Sequence, residues 1–155
     1  MMSDAVDLTN RDSFRHWTPV TVRYSDQDPL QHVNNVAYAA YFEAARTMFL
    51  GGLLHPDEKA GIDFILARVV IDYVKEMFYP NTVDVGTRVV KLGTKSITTG
   101  YGCFLGEECV ATSESVNVFF SPVDRKTILI PASVRASLEA DPLQEHSTGG
   151  YVRNH

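Results

Sequence analysis

The stretch 23–46, RYSDQDPLQHVNNVAYAAYFEAAR, gathers the side chains best placed to do chemistry. Asp26, Asp28 and His32 stand just ahead of Asn34 and Asn35, which open a long apolar run. An asparagine there caps a helix by accepting hydrogen bonds from its first free N–H groups. The helix N-terminus also presents unpaired donors and about half a positive charge. Such donors can hold a polarised carbonyl while a nearby carboxylate activates water or attacks directly, which is acyl-transfer chemistry. A plainer reading stands beside this one: acids ahead of helices cap them, and His32 can simply hydrogen-bond its loop. Asp26 and Asp28 are two apart, so in an extended loop only one faces a given pocket.

The elements that must position these groups follow from periodicity. Residues 19–25 (PVTVRYS) alternate Val20, Val22 and Tyr24 against polar neighbours, which predicts a half-buried strand. Residues 36–50 carry only Glu43, Arg46 and Thr47 as polar side chains apart from tyrosine hydroxyls, and Gly51-Gly52 should end the helix they form. A helix apolar on nearly all sides should be buried on nearly all sides. Strands are expected over 64–78, 83–92, 96–105 and 109–120, with a hairpin at Gly106-Glu107 and joints at Pro80, Gly86 and Gly93. A short helix should begin near Pro131. Strand, buried helix and four consecutive strands predict an α+β layer, one antiparallel sheet wrapped around one helix. One such sheet cannot cover the helix completely, so another copy of the chain is expected to cover the rest.

Composition bounds the function. The chain has 155 residues with 14 Lys+Arg and 19 Asp+Glu, so 14 − 19 gives a formal net charge of −5. That balance argues against a nucleic-acid surface. No apolar run is long enough to span a bilayer, and the N-terminus lacks a secretory pattern, so no membrane partner is expected and the cytoplasm is the expected compartment. Cys103 and Cys109 have neither redox nor zinc spacing and read as two unpaired thiols. The histidines show no metal spacing, G-x-S-x-G is absent, and Gly100-x-Gly102 is followed by Leu105 where a dinucleotide loop needs glycine. One domain is expected over 18–140, with 1–17 and 141–155 as flexible segments.

The segment Arg23-Tyr24-x-Asp26-x-Asp28-x3-His32-Val33-Asn34-Asn35-x2-Tyr38-x2-Tyr41-x-Glu43-x-Ala45-Arg46 resembles the signature of hotdog-fold acyl-CoA thioesterases, in particular the 4-hydroxybenzoyl-CoA thioesterase-like branch. The resemblance runs over about residues 18–122, through Tyr79-Pro80, Lys95-Ser96 and the VNVFF strand. It implies a hotdog fold, a five-stranded antiparallel sheet around a long central helix. It also implies a homodimer or homotetramer with sites at the dimer interface, an acyl-CoA substrate, and neither cofactor nor metal. The second acid of the D-x-D element, Asp28, is the implied catalytic carboxylate, as general base on water or as nucleophile through a mixed anhydride. Backbone N–H groups near Val33 to Asn35, with Val33 and Asn34 foremost, are the expected oxyanion donors. His32 would position carbonyl or water, and Asn35 would add a contact. Gln31 stands where relatives often carry glycine, so a positive φ there would be strained.

Three further assignments follow. Glu43 is the rival carboxylate, with pairing to Arg46 one turn on as its structural role. Arg88, Lys91, Lys95 and Ser96 lie near strand ends and could meet coenzyme A phosphates, or form an ordinary solvated edge. Tyr38, Phe42 and Phe78 could line an acyl pocket, although these spacings suit plain core. Two alternatives to hydrolysis remain. One is a non-catalytic acyl-CoA-binding hotdog domain; the other is a hydroxyacyl thioester dehydratase pairing His32 with Glu43.

Overall fold

A computed structural model describes residues 6–59 and 61–140. Its element order is β1 (His16–Thr21), α1 (Asn35–Leu53), α2 (Pro56–Lys59), β2 (Asp63–Tyr73), β3 (Thr82–Leu92), β4 (Ser96–Leu105), β5 (Glu108–Ser121), β6 (Lys126–Thr127) and α3 (Ala132–Ala140). The strands run β1-β3-β4-β5-β2, all antiparallel, and two-residue β6 pairs with β5. The curled sheet wraps α1, which is the hotdog architecture the resemblance implies. No helix among the described residues is long and apolar enough to cross a membrane.

α1 begins as expected, with the Asn34 side chain accepting from the Ala37 amide at 3.0 Å. It does not stop at Gly51-Gly52 but runs through both to Leu53. Leu50 and Leu54 are buried with Phe49, Val89, Ile97, Phe119, Val134 and Leu138. That burial outweighs the roughly 1 kcal/mol each glycine costs a helix. Nor is α1 buried all round. Ala37, Tyr38, Tyr41, Phe42, Ala45, Phe49 and Leu50 face the sheet, whereas Val36 is 78% exposed and Ala39, Ala40, Glu43 and Met48 share its open side. α1 packs on β1, β3 and β4, and β2 at the sheet edge stays exposed along most of its length.

The sheet departs from expectation at three joints. The first strand is His16–Thr21 rather than 19–25, because the chain folds into a single 3-10 turn at Tyr24–Asp26 that leaves Tyr24 exposed. The second ends at Tyr73, and residues 74–78 instead cross towards the loop ahead of α1, with Met77 O accepting from Val33 N at 2.9 Å. Gly86 is no joint: it sits mid-strand in β3, directly opposite Gly102 of β4. A Cβ at Gly86 would come within 2.4 Å of the Phe14 ring. The two glycines form a slot for Phe14, which is 0% exposed and meets Trp17 and Phe104 edge to face. The segment 6–17, expected to be flexible, is therefore packed against the sheet, and β1 begins inside it. The expected tail 141–155 lies outside the described residues.

Candidate active site

The loop from Val22 to Asn34 connects β1 to α1, and its two acids have separate surroundings. Asp26 is 2% exposed. Its Oδ2 accepts from Arg23 N at 2.8 Å and from the Tyr41 hydroxyl at 2.6 Å. Its Oδ1 accepts from Arg23 Nε and Nη2 at 3.1 and 2.9 Å. Burial by itself would raise the Asp26 pKa. The Tyr41 hydrogen bond and the backbone, side chain and charge of Arg23 outweigh it and hold the carboxyl below its ordinary 3.8. The Tyr41 hydroxyl is pushed far above its ordinary value, first by burial and then by Asp26. Asp26 is thus an ionised anchor between loop and helix, with its own carbonyl accepting from Asn34 N at 2.9 Å.

Asp28 is half-buried and points elsewhere. Its Oδ1 accepts from Leu30 N at 2.9 Å and His32 N at 3.2 Å, which fixes the carboxylate on a tight turn. Oδ2 takes no hydrogen bond among the described residues and is the oxygen left for chemistry. Gln31 closes that turn at φ 70, in the left-handed region expected to be strained.

Of the expected oxyanion donors, the Val33 and Asn34 amides are engaged and the Asn35 amide is open. Val33 N donates to Met77 O and Asn34 N donates to Asp26 O, each at 2.9 Å, so neither amide is free for a substrate. Among the described residues the unpartnered donors at this helix start are the amides of Asn35 and Val36, the first two residues inside α1. Asn35 is exposed, and its carbonyl accepts from the Tyr73 hydroxyl at 3.1 Å, which ties the helix start to β2.

His32 is partly exposed, with its ring edge-on to Phe78 at 5.1 Å. Its Nε2 lies 3.8 Å from Glu76 Oε2, within ion-pair range if the imidazole is protonated. Glu76 went unnoticed in the sequence because residues 64–78 read as one strand. No local spacing signals that 74–78 folds back beside His32. Of the proposed acyl-pocket residues, Tyr38 and Phe42 are core, and only Phe78 is exposed near the site.

Other candidates fall away from Asp28. Glu43 is exposed on α1 and forms no ion pair with Arg46 among the described residues, against the expected pairing. Arg88 is 4% exposed and donates to Ser13 O at 3.2 Å, a structural role that leaves no surface guanidinium for a phosphate. Lys91, Lys95 and Ser96 flank the β3–β4 turn, where Val89 and Ile97 pack against the C-terminal turns of α1. α1 has 19 residues, about 28 Å of helix, and within one chain these groups sit at its far end from Asp28. Cys103 and Cys109 are free, and burial first, then nearby negative charge, pushes the Cys103 thiol up to about 12. No group of three or more metal-ligating side chains converges among the described residues.

Residues 22–138 match the family model described as the thioesterase-like superfamily. The chain belongs to that superfamily. Protein PA5185 of Pseudomonas aeruginosa is 28% identical, with TM-score 0.75 over 84% of this chain and 93% of that one. A thioesterase of Thermus thermophilus, solved with coenzyme A and Zn, is 29% identical, with TM-score 0.73 over 87% and 98% of the two chains. The uncharacterised Bacillus subtilis protein YsmA is 28% identical over 95 residues, 61% of this chain and 63% of that protein's length. The match thus spans under two thirds of that curated relative.

Proposed function

We propose that the protein hydrolyses acyl-CoA thioesters to a free carboxylic acid and CoA, with Asp28 as the catalytic carboxylate. The observation carrying this reading is the Asp28 carboxylate itself. One oxygen is fixed by two loop amides and the other is unpartnered, beside a helix start with two free N–H donors. The thioester carbonyl oxygen accepts from the Asn35 and Val36 amides, which stabilise the negative charge it develops on attack. Asp28 Oδ2 removes a proton from water as that water attacks the carbonyl carbon. Alternatively it attacks the carbon itself, giving a mixed anhydride that water then cleaves. Either way the C–S bond breaks and CoA leaves as the thiolate. His32, with its ring against Phe78 and Glu76 nearby, positions the carbonyl or the water.

The coenzyme reading is supported by the Thermus thermophilus thioesterase seen with coenzyme A. The exposed β2 edge, with Ile65, Leu66, Val69, Val70 and Tyr73 open, supports a homodimer formed across it. The dehydratase reading is disfavoured within one chain, because Glu43 lies eight residues (43 − 35) beyond Asn35, about 12 Å along α1.

The test is thiol release from short, long and aromatic acyl-CoAs by wild type and Asp28→Asn. Turnover that Asp28→Asn lowers by about 10²–10⁴-fold supports the carboxylate as base or nucleophile. Binding without turnover of any thioester returns the chain to the non-catalytic acyl-CoA-binding alternative.

A further inference from the structure

The two open amides at the start of α1 belong to consecutive peptide units, and each unit is held by its carbonyl. A peptide is planar, so whatever fixes its C=O also aims its N–H, which points the opposite way. The Asn35 N–H shares its unit with the Asn34 carbonyl, which accepts from Ala37 N at 3.1 Å. That hold is local to the helix cap. The Val36 N–H shares its unit with the Asn35 carbonyl, which accepts from the Tyr73 hydroxyl at 3.1 Å. That hold arrives from β2, at the edge of the sheet.

Tyr73 is itself fixed before it reaches the helix. It ends β2, opposite Ala111 of β5. Just beyond it the Val74 and Lys75 amides both donate to Val110 O, at 3.0 and 3.1 Å. Its ring meets the buried Tyr38 ring edge to face, with centroids 5.4 Å apart. A backbone pinned on both sides and a ring set against a buried neighbour leave the hydroxyl little freedom. The helix ladder uses the Asn35 carbonyl as well, so the hydroxyl adds a second donor to that oxygen. The added bond steadies a first helical turn that would otherwise fray. It also polarises the peptide, and linked hydrogen bonds strengthen one another by about 10–30% per bond, which makes the Val36 N–H the better donor.

We infer that Tyr73 is a positioning residue for thioester hydrolysis: its hydroxyl, through the Asn35–Val36 peptide, aims and polarises one of the two donors that receive the thioester oxygen. The inference rests on the thioesterase reading above and deepens it, adding a residue that acts on that site from the sheet edge. Tyr73 touches no reacting atom in this scheme. Its contribution grows as the carbonyl oxygen gains negative charge, so it belongs to the transition state more than to the bound substrate.

The test compares wild type with Tyr73→Phe, which keeps the ring against Tyr38 and removes only the hydroxyl, on acetyl-, octanoyl- and benzoyl-CoA. Losing an oxyanion donor outright costs about 10²–10³-fold in kcat, so loosening one through its peptide should cost about five- to tenfold, with KM within about twofold of wild type. The second readout is the infrared band of an isotope-labelled thioester carbonyl bound to Asp28→Asn, where hydrolysis is slow. Adding Tyr73→Phe to that variant should move the band to higher frequency, back toward its position in free acyl-CoA. A kcat equal to wild type, a loss carried by KM alone, or a loss of turnover with the carbonyl band unmoved overturns the inference. Should wild type release thiol from none of the three, the hydrolase reading fails on its own. The carbonyl band of the thioester added to wild type and to Tyr73→Phe then decides the positioning: a shift between the two sustains it, and no shift overturns it.

Discussion

The loop ahead of α1 has two halves that use the same residue type in opposite ways. In 22–27, Asp26 is buried and fully engaged by Arg23 and Tyr41, and it fastens the loop to the helix. In 28–33, Asp28 is half-buried with one oxygen engaged and the other open. A carboxylate can act on a substrate only if an oxygen is left over, and Asp26 has none. What separates the two acids is Arg23, three residues ahead, which gives Asp26 three hydrogen bonds, together with the Tyr41 hydroxyl arriving from α1 at 2.6 Å.

Substitutions can break the contrast. Asp28→Asn should lower thioester turnover by about 10²–10⁴-fold, equivalent to about 3–5 kcal/mol of barrier, while its thermal midpoint stays near wild type. Asp26→Ala should do the converse. It strands the buried Tyr41 hydroxyl and frees the loop from the helix, costing about 3 kcal/mol of stability in a urea titration. Loss of turnover in Asp26→Ala with unchanged stability would reverse the assignment of the two acids.

Smaller effects sharpen it. Tyr41→Phe removes one hydrogen bond to a charged group and should cost about 1.5 kcal/mol at neutral pH. Asp26 has a folded pKa below its ordinary 3.8, so its stabilisation is present above that value and is lost as pH falls through the folded pKa. Removing the Tyr41 bond raises the folded pKa. The gap in stability between wild type and Tyr41→Phe should therefore narrow as pH drops below about 4, followed by urea midpoints over a pH series. The smallest change is Gln31→Gly. Relief of the left-handed backbone, partly offset by glycine's greater freedom in the unfolded chain, should raise stability by about 0.5–1 kcal/mol. A loss instead would mean that the Gln31 side chain contributes more than its backbone costs.

Much of this was legible in the sequence. The cap at Asn34, the long apolar helix, the four later strands and the hairpin at Gly106 follow from side-chain period and turn chemistry, which are local. The site loop was legible because its residues are contiguous. Glu76 was not, since its nearness to His32 depends on the chain leaving β2 at Tyr73 and folding back. The end of α1 was misplaced for a related reason: two glycines announce a stop locally, and the leucines that override it act through contacts with α3, β3, β4 and β5.

The sequence by itself determined the fold class, the helix start and the set of acids from which a catalytic carboxylate could be drawn, because periodicity and capping are written within a few residues. Only the tertiary structure decided which acid keeps a free oxygen. It likewise decided that the open amides belong to Asn35 and Val36 rather than Val33 and Asn34, and that Arg88 is a buried strut. Each of those outcomes depends on which donor or acceptor a distant segment brings within about 3 Å, and hydrogen-bond saturation at that range is a property of packing, not of composition or period.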